Sequence, residues 1–120
     1  MQDRQLFNKI EKYQSFAPGQ TIFRQGEPGD QMYLVAEGRV DILLDGQIIE
    51  TVEAGGILGE LALIDNKPRS ATAVAHNSCR LAPIDQAHFL SLIQNTPLFA
   101  IQVLRVMADR LRRTNLQIQG

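Results

Sequence analysis

Between residues 14 and 84 the chain is cut at short intervals by turn formers: Pro18-Gly19, Gly26, Pro28-Gly29, Gly38, Asp45-Gly46 and Gly55-Gly56. The segments between them are short apolar or alternating runs, too brief for helices and of the length that strands take. The clearest pair is 39–44 with 47–52. Val40, Ile42 and Leu44 alternate onto one face, and Asp45-Gly46 supplies the positive φ angles that a two-residue hairpin requires. Several strands spaced by about ten residues favour two packed sheets with few exposed edges, and the expected fold is mainly β, a jelly-roll barrel with flanking α-helices.

The texture changes at both ends. Leu6, Phe7 and Ile10 sit at helical spacing, which predicts a short amphipathic helix over residues 3–12. After Pro83, Asp85 is placed to N-cap a helix through about residue 94. Thr96-Pro97 then sets a cap and a first-turn proline ahead of a longer helix ending near residue 118. With 120 residues and no internal repeat or linker, one domain over 1–120 is expected, made of the first helix, a barrel over 14–84 and helices over 85–118.

Composition removes several function classes. Twelve Lys plus Arg against thirteen Asp plus Glu leave a net charge of -1, so there is no global basic field to draw DNA or an anionic membrane. Cys79 is the single cysteine, which excludes an intrachain disulfide framework and a four-cysteine zinc site. A buried small hydrophobe is the expected role of that thiol. His76 and His88 show neither H-x-H nor HExxH spacing, so a metal site is not expected, nor is a cupin-like metal enzyme, whose barrel needs several converging ligands. Residues 1–13 lack the apolar core and cleavage site of a signal peptide, and no apolar run approaches the roughly 20 residues of a membrane-spanning helix. The expectation is a soluble cytoplasmic protein that is not an enzyme.

The stretch Gly59-Glu60-Leu61-Ala62-Leu63 followed by Pro68-Arg69-Ser70-Ala71-Thr72 holds the parts of an anion site. Gly59 lets backbone approach a ligand, and residues 60–64 are good enough helix formers for one turn, whose free N–H groups would face a phosphate. Arg69 offers a planar fork for two phosphate oxygens, and Ser70 adds a hydroxyl. Glu60 would be repelled by a phosphate but can accept from a sugar hydroxyl, so the ligand should carry both groups.

These residues strongly resemble the cyclic-nucleotide-binding domain family, which is shared by catabolite-activator-type regulators, protein kinase regulatory subunits and cyclic-nucleotide-gated channels. The similarity centres on 59–63 and 68–72, the family's phosphate-binding cassette (58–73 here), and extends to Phe16-Ala17-Pro18-Gly19, Ile22-Phe23, Gln25-Gly26-Glu27-Pro28-Gly29-Asp30, Tyr33-Leu34-Val35 and Glu37-Gly38. The resemblance implies that Arg69 neutralises the cyclic phosphate and Glu60 bonds the ribose 2′-hydroxyl. Ser70, Ala71 and the N–H groups near Leu61 and Ala62 would complete the cradle. Leu58 departs from the family, where an aromatic residue often precedes the Gly-Glu pair. Ser70, following the cassette arginine, implies cyclic AMP in preference to cyclic GMP, with no cofactor besides that ligand.

Ile101, Leu104, Ala108, Leu111, Asn115 and Ile118 are separated by 3, 4, 3, 4 and 3 residues, the spacing of a coiled-coil seam. A homodimer through 97–118 is the expected consequence, with Asn115 setting register and Val103, Val106 and Met107 free to pack on the barrel. By resemblance to dimeric catabolite-activator-type regulators, Thr114 and Asn115 would reach the base, with Arg110 nearby. Taken only as a charge run, Arg105, Arg110, Arg112 and Arg113 read as a solvated helix face. The expected function is a sensor that signals to an effector protein by moving this helix; the alternative is the sensor part of a transcription regulator.

Overall fold

The computed structural model describes residues 12–119, with side-chain surroundings given through residue 113. Eight strands form two antiparallel sheets of four. The first is ordered β1 (Gln14–Phe16), β8 (Cys79–Asp85), β3 (Gln31–Glu37), β6 (Ile57–Leu58). The second is β2 (Thr21–Phe23), β7 (Thr72–Ala75), β4 (Arg39–Leu44), β5 (Gln47–Glu53). Among the described residues three helices accompany them: α1 (Leu61–Asp65), α2 (Gln86–Asn95) and α3 (Pro97–Gln119). This is the expected jelly-roll arrangement with two C-terminal helices. The helix expected over 3–12 lies outside the described residues save for Lys12, which has no regular structure.

The local signals act as their chemistry requires. Asp45 and Gly46 take φ angles of 52° and 83° between β4 and β5, as a two-residue hairpin demands. The Asp85 side chain accepts from the His88 N–H at 2.8 Å and starts α2. Pro97 opens α3, where a missing N–H costs nothing.

The apolar run Met32-Tyr33-Leu34-Val35 on β3 is buried throughout because its two faces serve two cores. Tyr33 and Val35 point between the sheets with Val40, Ile42, Val52, Leu58 and Leu81. Met32 and Leu34 point the other way, onto Phe89, Leu92, Phe99 and Val103 of α2 and α3. Phe89 and Phe99 meet edge to face at 5.8 Å between centroids. Val103 is fully committed to this second core, with Val106 and Met107 half-buried against it, as the helix spacing predicts. The start of α3 is thereby held against the barrel. Ile101, Leu104 and Leu111 stay exposed. Among the described residues no single helix is long and apolar enough to cross a membrane.

Candidate functional site

A cavity of about 370 Å³ opens between the β4–β5 hairpin, the turn from β6 into α1, the segment 68–71 and the middle of α3. Its size falls within the roughly 300–1,000 Å³ common for small-molecule sites. Gly59, Glu60, Leu61, Ala62, Arg69, Ser70, Ala71 and Arg110 all line it, so these expected site residues converge although they are far apart in sequence. Thr114 and Asn115 belong to α3, but their side chains lie outside what the structure describes.

Gly59, at φ +77°, lets the chain leave β6 and enter α1 at once. Glu60 precedes the first helical residue with its own backbone already helical, and its side chain does not cap the helix. Instead the carboxylate turns inward, 0% exposed, where it must find partners. One oxygen, Oε2, accepts from Nη1 of Arg110, while Oε1 has no partner among the described residues.

Arg69 is 7% exposed, and it and Glu60 are the buried charged residues of the described chain. Its backbone is clipped to the loop after β2 in both directions, by Arg69 N–H to Glu27 C=O and Gly26 N–H to Arg69 C=O, each at 2.8 Å. Its guanidinium lies 4.1 Å over the Phe23 ring and donates to the carbonyls of Gln31 at 2.7 Å and Gly59 at 3.1 Å. Nε is buried without a partner among the described residues. Burial lowers the Arg69 pKa, against the pull of Tyr33, Asp30, Glu27 and Glu60; a guanidinium keeps its charge there, and the residue lines the cavity.

Arg110 lies at the cavity, as the resemblance implies, and corrects only its reading as part of a charge run. Placed among a run of arginines it reads as solvated, yet it is folded inward and donates to Glu60, to Glu50 Oε1 at 2.9 Å through Nε, and to the Ile57 carbonyl at 3.2 Å. The reason is that α3 faces two acids that need a counter-charge. Burial opposes its charge, but Glu60 and the bonds to Glu50 outweigh that and raise the Arg110 pKa. Arg105 and Arg112 are exposed as expected, whereas Arg113 is half-exposed and reaches Glu50 Oε2 at 3.6 Å.

Ser70 stands exposed at the mouth, Ala71 is buried behind it, and Ala62 is buried while Leu61 is partly open. Sequence reasoning left Phe23 and Gly29 without a stated role and overlooked Glu50. For Glu50 a signal existed: it lies two residues from Val52 on one strand and so shares its inward face. His76 pairs with Asp41 at 3.0 Å, and Cys79 is buried with Sγ 3.1 Å from the Arg39 carbonyl. Among the described residues no three His, Cys, Asp or Glu side chains gather as metal ligands would.

The model of the family described as cyclic nucleotide-binding domain matches residues 13–96. The chain belongs to the cyclic nucleotide-binding domain family. It is similar to the CRP-like cAMP-activated global transcriptional regulator of Mycobacterium tuberculosis, 36% identical over 105 residues that cover 83% of this chain and 47% of that protein. It is also similar to the cAMP-dependent protein kinase regulatory subunit of Eremothecium gossypii, 40% identical over 88 residues covering 73% of this chain and 19% of that one. In structure this cyclic nucleotide-binding domain resembles the Thermus thermophilus catabolite activator protein, with a TM-score of 0.83 at 32% identity, over 98% of this chain and 57% of the other. The chain thus spans half or less of the curated relatives it matches here.

Proposed function

We propose that this domain is a sensor for a cyclic purine mononucleotide, cyclic AMP in preference to cyclic GMP. The observation that carries the reading is the pair of buried, oppositely charged residues on one cavity wall, Glu60 and Arg69, each with one polar atom unpartnered among the described residues. A buried charge is costly unless something completes its shell. A phosphodiester beside Arg69 and a ribose hydroxyl donating to Oε1 of Glu60 complete both together. Ser70 and the N–H groups of Leu61 and Ala62 supply further donors to the phosphate, and Gly59 and Ala71 leave room for it. Support for cyclic AMP comes from two relatives whose names state activation by, or dependence on, that nucleotide, and from serine rather than threonine after Arg69.

The base points toward α3, where Arg110 stands and where Thr114 and Asn115 follow. Ligand contacts made from this helix favour one seat of α3 over another, and that shift in population is the signal passed to an effector protein. The exposed apolar residues Ile101, Leu104 and Leu111 support a homodimer through α3. We read the domain as a soluble cytoplasmic binding module rather than an enzyme, with no direct contact to DNA, standing alone or as the sensor of a larger regulator.

The test is calorimetric titration with cyclic AMP and cyclic GMP side by side, on the native protein and on Arg69→Ala. Binding of both is expected, cyclic AMP more tightly. Loss of the arginine leaves a phosphate buried without its counter-charge and is expected to cost about 2–5 kcal/mol. Native protein that binds neither nucleotide, or an Arg69→Ala variant of unchanged affinity, overturns the assignment.

A further inference from the structure

β5 carries an acid where its period calls for an apolar side chain. In the hairpin, Val40 pairs with Val52 and Ile42 with Glu50, so these residues alternate onto one face. Val40, Ile42 and Val52 are buried in the core between the sheets. Glu50 therefore enters the wall of the cavity, with only 17% of its side chain exposed. Just beyond it the register shifts, Leu43 pairing with Ile48, and Ile49 is the extra residue of a bulge. Bulges redirect the side chains beside them, and Ile49 and Glu50 both line the cavity.

A carboxylate so placed is tolerated only if it is paired. Arg110 pairs it: Nε donates to Glu50 Oε1 at 2.9 Å and Nη2 approaches Oε2 at 3.4 Å, while Nη1 donates to Glu60. The guanidinium is planar and rigid, so once Glu50 holds the Nε edge the direction of Nη1 is determined, and it falls on Glu60. Arg113, one turn further along α3, adds a weaker contact to Glu50 at 3.6 Å. A strand acid, a helix arginine and the cassette acid are thus joined in one line.

We propose that Glu50 is a positioning residue for nucleotide binding, holding Arg110 so that it offsets the charge of Glu60 and leaves the second carboxylate oxygen of Glu60 to the ribose. The inference rests on the reading of Glu60 as the sugar acceptor. Without Arg110 the Glu60 charge acts undiminished on an anionic ligand. Without Glu50 a long side chain must reach Glu60 unguided, at an entropic cost. The same tie links affinity to the seat of α3, since Arg110 comes from that helix and Glu50 from the barrel.

The experiment is a double-mutant cycle of cyclic AMP and cyclic GMP affinity on the full chain with Glu50→Ala, Arg110→Ala and both together, alongside Glu50→Gln in case the alanine variant folds poorly. Hydrogen exchange over residues 103–113 without nucleotide is the second readout. Glu50→Ala is expected to weaken both nucleotides on the order of tenfold, to add little when Arg110 is already alanine, and to speed exchange in α3. Glu50→Gln, which keeps an acceptor for Nε but not the charge, is expected to fall between. Losses that add independently, a loss confined to one base, or unchanged exchange in α3 overturns the proposal while leaving the nucleotide site intact. Native protein that binds neither nucleotide sinks the site and this role together.

Discussion

Gly29 lies against the guanidinium of Arg69 so closely that a Cβ at residue 29 would fall 2.5 Å from Nε and 2.6 Å from Cζ. Gly59 approaches the same guanidinium at another atom, where a Cβ would fall 2.6 Å from Nη1 and 3.3 Å from the Phe23 ring. Two glycines and a phenylalanine thus pack around the guanidinium of Arg69. Gly29 does not have the left-handed backbone of Gly59, so alanine there leaves the backbone unstrained and acts by crowding alone. Gly29→Ala is expected to lower cyclic AMP affinity about tenfold or more, because a displacement of about 1 Å in a charge-assisted contact is enough, and to cost about 1–3 kcal/mol of stability by crowding a buried, hydrogen-bonded guanidinium. Gly59→Ala is expected to lose affinity and, in addition, about 1–2 kcal/mol of stability from its positive φ. Calorimetry and urea melts on both variants check these losses.

Ser70 follows Arg69 and stands exposed at the cavity mouth, where its hydroxyl can turn to a phosphate or to the edge of a base. Ser70→Ala removes a donor to an anion, and a hydrogen bond to a charged group is worth about 1.5–3 kcal/mol. Both nucleotides are expected to bind more weakly, cyclic GMP more so, because its amino group loses an acceptor as well. Ser70→Thr keeps the hydroxyl and is expected to narrow the preference for cyclic AMP. Competition titrations of the two nucleotides on the three proteins read the ratio directly, and an unchanged ratio argues against any contact from residue 70 to the base.

The architecture was legible where local chemistry and hydrophobic period agree. Asp45-Gly46 has one comfortable use between alternating strands, and Asp85 and Pro97 each mark a helix start by a missing or supplied hydrogen bond. That Glu60, Arg69 and Ser70 would share one cavity was legible because the expected sugar-phosphate chemistry of these residue types requires them to meet. The resemblance placed Arg110 near the base, but its inward turn onto Glu50 and Glu60 was not legible, for a physical reason. An arginine in a run of arginines has the period of a solvated face, and only the approach of α3 to β5 across the barrel mouth turns one of them inward. That approach is tertiary, created by Phe99 and Val103 anchoring the helix start. The bulge at Ile49 was hidden in the same way, since two adjacent isoleucines reveal a break in alternation but not which one is extra.

Phe99 makes that anchoring testable. It is 1% exposed, packs edge to face on Phe89, and joins the start of α3 to Met32 and Leu34 of β3. Phe99→Ala opens a cavity at this junction and is expected to cost about 3–5 kcal/mol of stability. Because the junction seats α3, the variant is also expected to bind cyclic AMP more weakly although residue 99 does not line the cavity. Denaturant melts and calorimetry on the same preparation check both effects, and a large loss of stability with undiminished affinity would show that the site does not depend on where α3 sits.

The exposed face of α3 carries the last prediction. Leu104 is 58% and Leu111 62% exposed, one heptad apart, on a helix whose opposite side is committed to the barrel through Phe99 and Val103. A helix with apolar residues on both sides has one surface more than the single domain can cover, and the seam spacing suits a second copy of the same helix. Sedimentation of the native protein is expected to give a dimer at micromolar concentration. Leu104→Glu with Leu111→Glu places like charges opposite each other across a two-fold axis and is expected to give a monomer with an unchanged barrel. If the base is contacted from α3 of both copies, the monomer should keep the phosphate and ribose contacts but lose part of its affinity and much of its preference between cyclic AMP and cyclic GMP. A native protein that sediments as a monomer, or a double variant that remains dimeric, removes the helix seam as the interface.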